Sequence, residues 1–174
     1  DEIEFFAKSI NDFNTKRREL DESITKEAMA MLAKNEEFDQ RKTTVVHKEG
    51  WSRGVVGIVA SRLIEQHFKP TIVFAENDGF LTGSARTVND FDIHESLTQC
   101  ADLLVKFGGH THAAGLTIEK GNIEIFKNRF EEIVASSIKG EDLYPTENVD
   151  IEIDFSDIFN SGESLQSIPR LKRV

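Results

Sequence analysis

The sequence predicts an α/β domain, its sheet mixed or largely parallel and flanked by helices, with one long helix in front. Three observations carry that prediction. Short β-branched runs alternate with apolar stripes at three- and four-residue spacing between residues 43 and 138. Glycine or proline punctuates the joints, at Gly50, Pro70, Gly79, Gly108 and Gly121. The first 40 residues contain neither. Strand and helix patterns in alternation are what a layered α/β packing needs, because each sheet face must be covered. With roughly 150 residues expected per domain, the 174 residues predict one domain with attachments. That is enough chain to bury a core without disulfides.

The elements follow in order. Ile3, Phe6, Ile10, Phe13, Leu20, Ile24 and Met31 recur on a helical track that predicts one helix over 3–38, with Asp1 as a cap. Such a helix is about 50 Å long at 1.5 Å per residue. Arg17 and Glu27 interrupt its apolar track, so part of it is expected to form a seam with something outside the domain. Thr43–His47 reads as a strand and Val55–Phe68 as a helix stopped by Pro70. Thr71–Ala75 and Phe80–Thr87 read as a hairpin about Asn77-Asp78-Gly79. Asp92 is an N-cap for a helical stripe of Ile93, Leu97, Leu103 and Leu104, ended by Phe107-Gly108-Gly109-His110. Ala113–Ile118 is a further strand and Ile123–Ile138 a further helix. Residues 140–148 read as a linker, and Val149–Phe155 alternates as a strand. The organisation predicted is a long helix at 1–40, a domain at 41–140, and a linker with the start of another domain at 141–174. With Asp as its first residue, the chain is expected to be a piece of a longer one.

Composition removes several functions. The single cysteine, Cys100, excludes a disulfide framework and a cysteine zinc module, and in an apolar helical phase it reads as an inert buried thiol. No run of 18 apolar residues and no signal pattern occur, so a cytoplasmic setting is expected. The net charge is −10. Residues 1–40 carry 6 basic and 11 acidic side chains, 41–120 carry 9 and 9, and 121–174 carry 6 and 11. A general nucleic-acid coat needs clustered Lys and Arg, so any anion site is local and lies in the neutral middle.

Three glycine-bearing segments stand there. Gly54 and Gly57 at a helix start suit either a phosphate facing backbone N–H groups or close packing on a sheet. In Gly83-Ser84-Ala85-Arg86, Ser84 and Arg86 share one strand face, a hydroxyl beside a guanidinium. An exposed face with an Arg–carboxylate pair is the plainer account of that pair. Gly108-Gly109-His110 reads as a turn on which a histidine can meet a phosphate or move a proton. His110 and His112 have metal-pair spacing, but Asp102 and Glu119 read as surface charges and complete no coordination set. His67 and His94 read as capping or surface residues at helix ends. No nucleophile elbow, P-loop or H-E-x-x-H occurs.

Taken in order, Trp51-x-x-Gly54-Val55-Val56-Gly57-Ile58-Val59-Ala60-Ser61-Arg62-Leu63, Pro70, Gly83-Ser84-Ala85-Arg86, Phe107-Gly108-Gly109-His110 and Ala113-Ala114-Gly115-Leu116 resemble the DHHA1 domain of RecJ-type single-strand-specific DNA exonucleases, over about residues 43–135. The resemblance implies a DHHA1-type fold, with 3–38 as the helix connecting it to a catalytic DHH lobe and 149–174 as the start of an OB-type domain. It implies removal of nucleotides from the 5′ end of single-stranded DNA in repair and recombination. It implies Mn²⁺ or Mg²⁺ held by Asp and His of the DHH lobe; the Asp-His-His motif is absent from this sequence, so the chain alone is expected to be inactive and to hold no metal. It carries phosphate binding to Ser84, Arg86, Gly108 and Gly109, and assigns His110 both that role and a catalytic one at the scissile phosphate. The family has His after the tryptophan where this sequence has Ser52. Trp51 and Phe107 are candidates for base stacking, with core packing the plainer use.

Other classes of function fit some of the same residues. One is a phosphodiesterase for short oligonucleotides or cyclic dinucleotides, sharing the Gly-Gly-His segment. Another is a protein-interaction module built on the first helix, whose exposed seam would also suit a homodimer.

Overall fold

The computed structural model describes residues 2–145. Asp1 and the strand expected at Val149–Phe155, with the rest of the expected OB-type start, lie outside the described residues. The elements are α1 (Glu2–Leu32), β1 (Thr44–Glu49), α2 (Val56–His67), β2 (Thr71–Asn77), β3 (Phe80–Arg86), α3 (Ile93–Thr98), β4 (Leu104–His110), β5 (Ala113–Glu119) and α4 (Ile123–Ser137). The sheet is mixed, in the order β1-β2-β3-β5-β4. Only β1 and β2 run parallel; β2–β3, β3–β5 and β4–β5 are antiparallel. No described helix is long and apolar enough to cross a membrane.

Two apolar clusters lie on the two faces of the sheet. On one, Val46, Val73 and Ala75 pack under α2 (Val56, Val59, Ala60, Leu63), and α1 closes over them with Ile24, Ala28 and Leu32. On the other, Ile72, Phe74, Leu81, Ala85, Ala114, Leu116 and Ile118 meet α3 and α4, where Phe126 and Phe130 stack with ring centroids 5.7 Å apart. Alternation along each strand supplies both faces, since successive side chains point oppositely. Gly83 is a forced choice: a Cβ there would stand 2.4 Å from the Phe74 ring.

The hairpin turn is as predicted. Asp78 and Gly79 both have positive φ, 49° and 79°, the two-residue geometry that matches strand twist. Asp92 caps α3, its Oδ1 accepting from the Glu95 N–H at 2.9 Å.

Three expectations are corrected. The first helix closes at Leu32, because Asn35 Oδ1 accepts from the Glu37 N–H at 3.1 Å and turns the chain into a short 3₁₀ segment at Phe38–Gln40. The stripe after Asp92 is not one helix: α3 ends at Thr98, Ala101–Leu103 is a 3₁₀ turn, and Leu104 opens β4. His67 does not cap α2 and is half-buried, not fully exposed. Phe68 takes the left-handed C-cap position, and the His67 ring packs edge-on against Phe38 at 4.8 Å. His94 packs beside Phe107, with centroids 5.7 Å apart.

Candidate functional site

The two clusters cover unequal areas of the sheet. α2 packs against β2 and β3, while on the same face β5 and β4 carry no helix among the described residues. There Gly115, Lys106, Gly108 and His110 are exposed. Register puts three rows of residues across this open floor. Arg86 pairs with Ala113, which pairs with His110. Ser84, Gly115 and Gly108 form the next row, and Thr82, Thr117 and Lys106 the third. Paired residues project from the same face, so Arg86 and His110 stand on one side of the molecule, at one end of the sheet. Two strand spacings, about 10 Å, separate their backbones.

The Arg86 guanidinium folds back along β3. Its Nη1 donates to Ser84 Oγ at 2.6 Å and to the Ala85 carbonyl at 2.8 Å. A Cβ on Gly57 would lie 2.9 Å from Nη2 and 3.2 Å from Ser84 Oγ. The glycine in the first turn of α2 thus admits both donors against the helix start. No side chain caps that end of α2, where Val55 is the N-cap, so the first N–H groups remain available to an anion. Ser52 shapes the approach, its Oγ accepting from the Gly54 N–H at 3.3 Å.

A groove of about 490 Å³ runs between Arg53, Gly54 and Gly57 on one bank and Ser84 and Arg86 on the other. It shares Thr82 and Gly83 with a second depression of about 280 Å³, lined also by Lys106, Gly108, Gly115 and Thr117. Neither lining contains a carboxylate. Among the described residues Arg53, Arg86 and Lys106 form no ion pair with one. A larger depression of about 660 Å³ adjoins Arg53, but Glu49, Glu76 and Asp78 line it, and their charge repels an anion.

Each residue singled out in the sequence has a definite place. Ser84, Arg86 and Gly57 are brought together, and His110 and Gly108 share their sheet face. The Gly-Gly-His segment is the end of β4, not a turn. Gly109 points to the opposite face, where a Cβ would stand 2.3 Å from the Ala113 carbonyl oxygen, so its glycine serves strand pairing. His110 Nδ1 accepts from the His112 N–H at 3.3 Å. Arg62 belongs to the scaffold, donating to buried Asp21 at 2.9 Å. Trp51 is buried, and its Nε1 donates to Glu27 at 2.9 Å, so it offers no ring for stacking. Phe107 packs, half-buried, on the α4 side. Lys106, Thr82, Thr117 and Arg53 are additions. The period-two spacing Lys106-x-Gly108-x-His110 is the signal that marks the first of them.

Residues 39–136 match the DHHA1 domain family. The chain is 38% identical over 159 residues to the single-stranded-DNA-specific exonuclease RecJ of Bacillus subtilis, covering 90% of this chain and 20% of that protein. It is 35% identical to the Escherichia coli protein of the same name, over 76% of this chain and 24% of that one. The chain thus spans about a fifth to a quarter of the relatives it matches. The crystal structure of Thermus thermophilus RecJ in complex with Mg²⁺ superposes with a TM-score of 0.65 at 29% identity, over 74% of this chain and 19% of that one. A RecJ exonuclease bound to manganese gives 0.64 at 27% identity, over 78% and 32%. Among the described residues no three His, Cys, Asp or Glu side chains gather as a metal would require. The donors of the floor are hydroxyls, a guanidinium, an ammonium and an imidazole, a set suited to an anion and not to Mg²⁺ or Mn²⁺.

Proposed function

The chain belongs to the DHHA1 domain family, and from that premise we propose that it is the phosphate-gripping wall of a RecJ-type exonuclease acting on single-stranded DNA in repair and recombination. One observation carries the reading: a floor of donors without a carboxylate, in a chain of net charge −10. The relatives named above support it, as exonucleases specific for single-stranded DNA.

Arg86 offers a planar fork of donors to the oxygens of one phosphate, and Ser84, already hydrogen-bonded to it, fixes the fork's orientation. The uncapped start of α2 adds N–H groups and the positive end of a helix dipole. His110, in the same row, stands at the scissile linkage and donates to it. Gly108 and Gly115 leave the peptide bare between the rows, so a strand can lie close. The divalent metal of such an enzyme neutralises phosphate charge and activates water. In this reading its ligands belong to a DHH lobe outside this chain, the chain alone is inactive, and the protein works in the cytoplasm.

Turnover by the full-length parent tests the assignment. Arg86→Ala and His110→Ala should each lower exonuclease turnover on single strands at least about tenfold, since each removes a donor to a charge-bearing phosphate. Wild-type rates in both variants would refute it. A 5′-phosphorylated oligonucleotide should bind the 174-residue chain weakly, the affinity falling as salt rises.

A further inference from the structure

We propose that Lys106 holds a second phosphate of the same strand, several linkages from the one gripped by Arg86 and His110. This rests on the function proposed above and deepens it, giving the strand a path over the sheet and a shortest well-held length.

The rows of the floor carry the argument. Arg86 and His110 mark one end, Thr82, Thr117 and Lys106 the other, four residues further along their strands. At about 3.3 Å per residue the ends lie about 13 Å apart. One phosphate cannot span that. Phosphates advance about 3.4 Å along the axis of a stacked strand and further in an extended one. The two ends therefore serve linkages about two to four apart, and the strand crosses the floor obliquely, from Arg86 on β3 over β5 to Lys106 on β4.

The middle of the floor agrees with such a path. Gly108 and Gly115 would present a Cβ to open space, so nothing rises between the ends over β5 and β4, while on β3 the Arg86 guanidinium itself lies over Ser84. Lys106 is exposed and pairs with no carboxylate among the described residues. Phe107, its neighbour, packs into the α4-side core and so fixes Lys106 on the floor side. The Thr82 and Thr117 hydroxyls, 3.4 Å apart, lie beside it as further donors. Glu119 is next along this face of β5, and its charge closes the track beyond Lys106.

The test compares probe lengths on the 174-residue chain: a 5′-phosphorylated thymidine dinucleotide, which reaches one end of the floor, and the corresponding octamer, which reaches both. Binding is followed by NMR titration at several salt concentrations. Arg86→Ala weakens both probes. Lys106→Met weakens the octamer about tenfold more than the dinucleotide and lowers the salt slope on the octamer by about 0.7, one phosphate contact's share on a single strand. Lys106→Arg restores the octamer. Equal losses on the two probes, or no loss on the octamer, overturn the second contact while Arg86→Ala still weakens both. An Arg86→Ala chain that binds both probes like the wild type overturns the phosphate-gripping function itself, and this inference with it.

Discussion

Arg62 and Arg86 are the same side chain put to opposite uses. Arg62 meets the buried Asp21 carboxylate at 2.9 Å, which spends its charge on fastening α1 to α2. Among the described residues Arg86 meets a hydroxyl and a carbonyl and no carboxylate, so its charge stays available, and the absence of a Gly57 side chain lets the helix start approach it. Cys100 is similarly decided by its surroundings. It is fully buried, and burial pushes its thiol up to about 11, which leaves it without thiolate at neutral pH. Burial also holds two imidazoles below their ordinary range. His47 is lowered by burial and by the Lys127 charge, against the pull of Glu76 and Glu124, and His67 by burial and by Lys69, against Asp39. Both take up a proton more readily unfolded than folded. Their stabilisation is therefore complete above the unfolded value of about 6.5 and is lost as pH falls from there through their lower folded values. The urea midpoint should drop between pH 7.5 and pH 5.5, and drop less in a His47→Gln/His67→Gln double variant. A midpoint that holds or rises toward pH 5.5 contradicts the account. Glu27, Glu76, Asp102 and Glu124 are each held below the carboxylate range by a lysine or arginine hydrogen bond. Their loss comes only near pH 4 and lower, outside that window.

β4 is the element on which the candidate site depends and the one that sequence patterning hid. Asp92 is a true helix cap, and Ile93, Leu97, Leu103 and Leu104 keep helical spacing, so the local signal favours one long helix. The chain leaves that helix at Thr98 because Leu104 and Phe107 reach the α4-side core from a strand paired with β5, a long-range gain no local window contains. Elements whose pattern matched their packing were legible: α2 stopped by Pro70, the β2–β3 hairpin, β5 and α4. So were Ser84 and Arg86, since a strand face follows from alternation alone. Lys106 was legible only as a position sharing a period-two face with Gly108 and His110; that this face lies beside Ser84 and Arg86 depends on which strands pair, which no local spacing shows. The two glycines of β4 separate the element's demands. Gly109→Ala forces a Cβ to 2.3 Å from the Ala113 carbonyl oxygen, whereas a Cβ on Gly108 meets nothing within 4 Å. Gly109→Ala should cost about 2 kcal/mol or more in urea unfolding and lose amide protection along β4. Gly108→Ala should unfold at the wild-type midpoint. Equal midpoints for the two variants would mean that β4 is not held against β5 in this register.

The whole molecule places an acidic body behind a donor-lined floor and extends α1 past both. Only Asp21, Ile24, Ala28 and Leu32 of that helix are buried. Its first 19 residues, about 28 Å at 1.5 Å each, leave Phe6, Ile10 and Phe13 at 62%, 59% and 71% exposure. These three fall at i, i+4 and i+7, one face of the helix. An apolar stripe on a projecting helix adds nothing to the stability of the domain behind it, and it is costly in water unless covered. On the function proposed above, the stripe is the expected seat of another lobe of the parent chain, and seating there would set that lobe's position relative to Arg86 and His110. Replacing Phe6, Ile10 and Phe13 together by Ser separates this from a role in folding or in gripping DNA. In the 174-residue chain the variant should keep the wild-type urea midpoint and octamer affinity. In the full-length enzyme the same three changes should lower exonuclease turnover at least about tenfold, because a reacting linkage misplaced by about an ångström already costs that much or more. A parent variant that turns over at the wild-type rate would leave the helix as a tether only, and the metal lobe would have to be positioned from elsewhere.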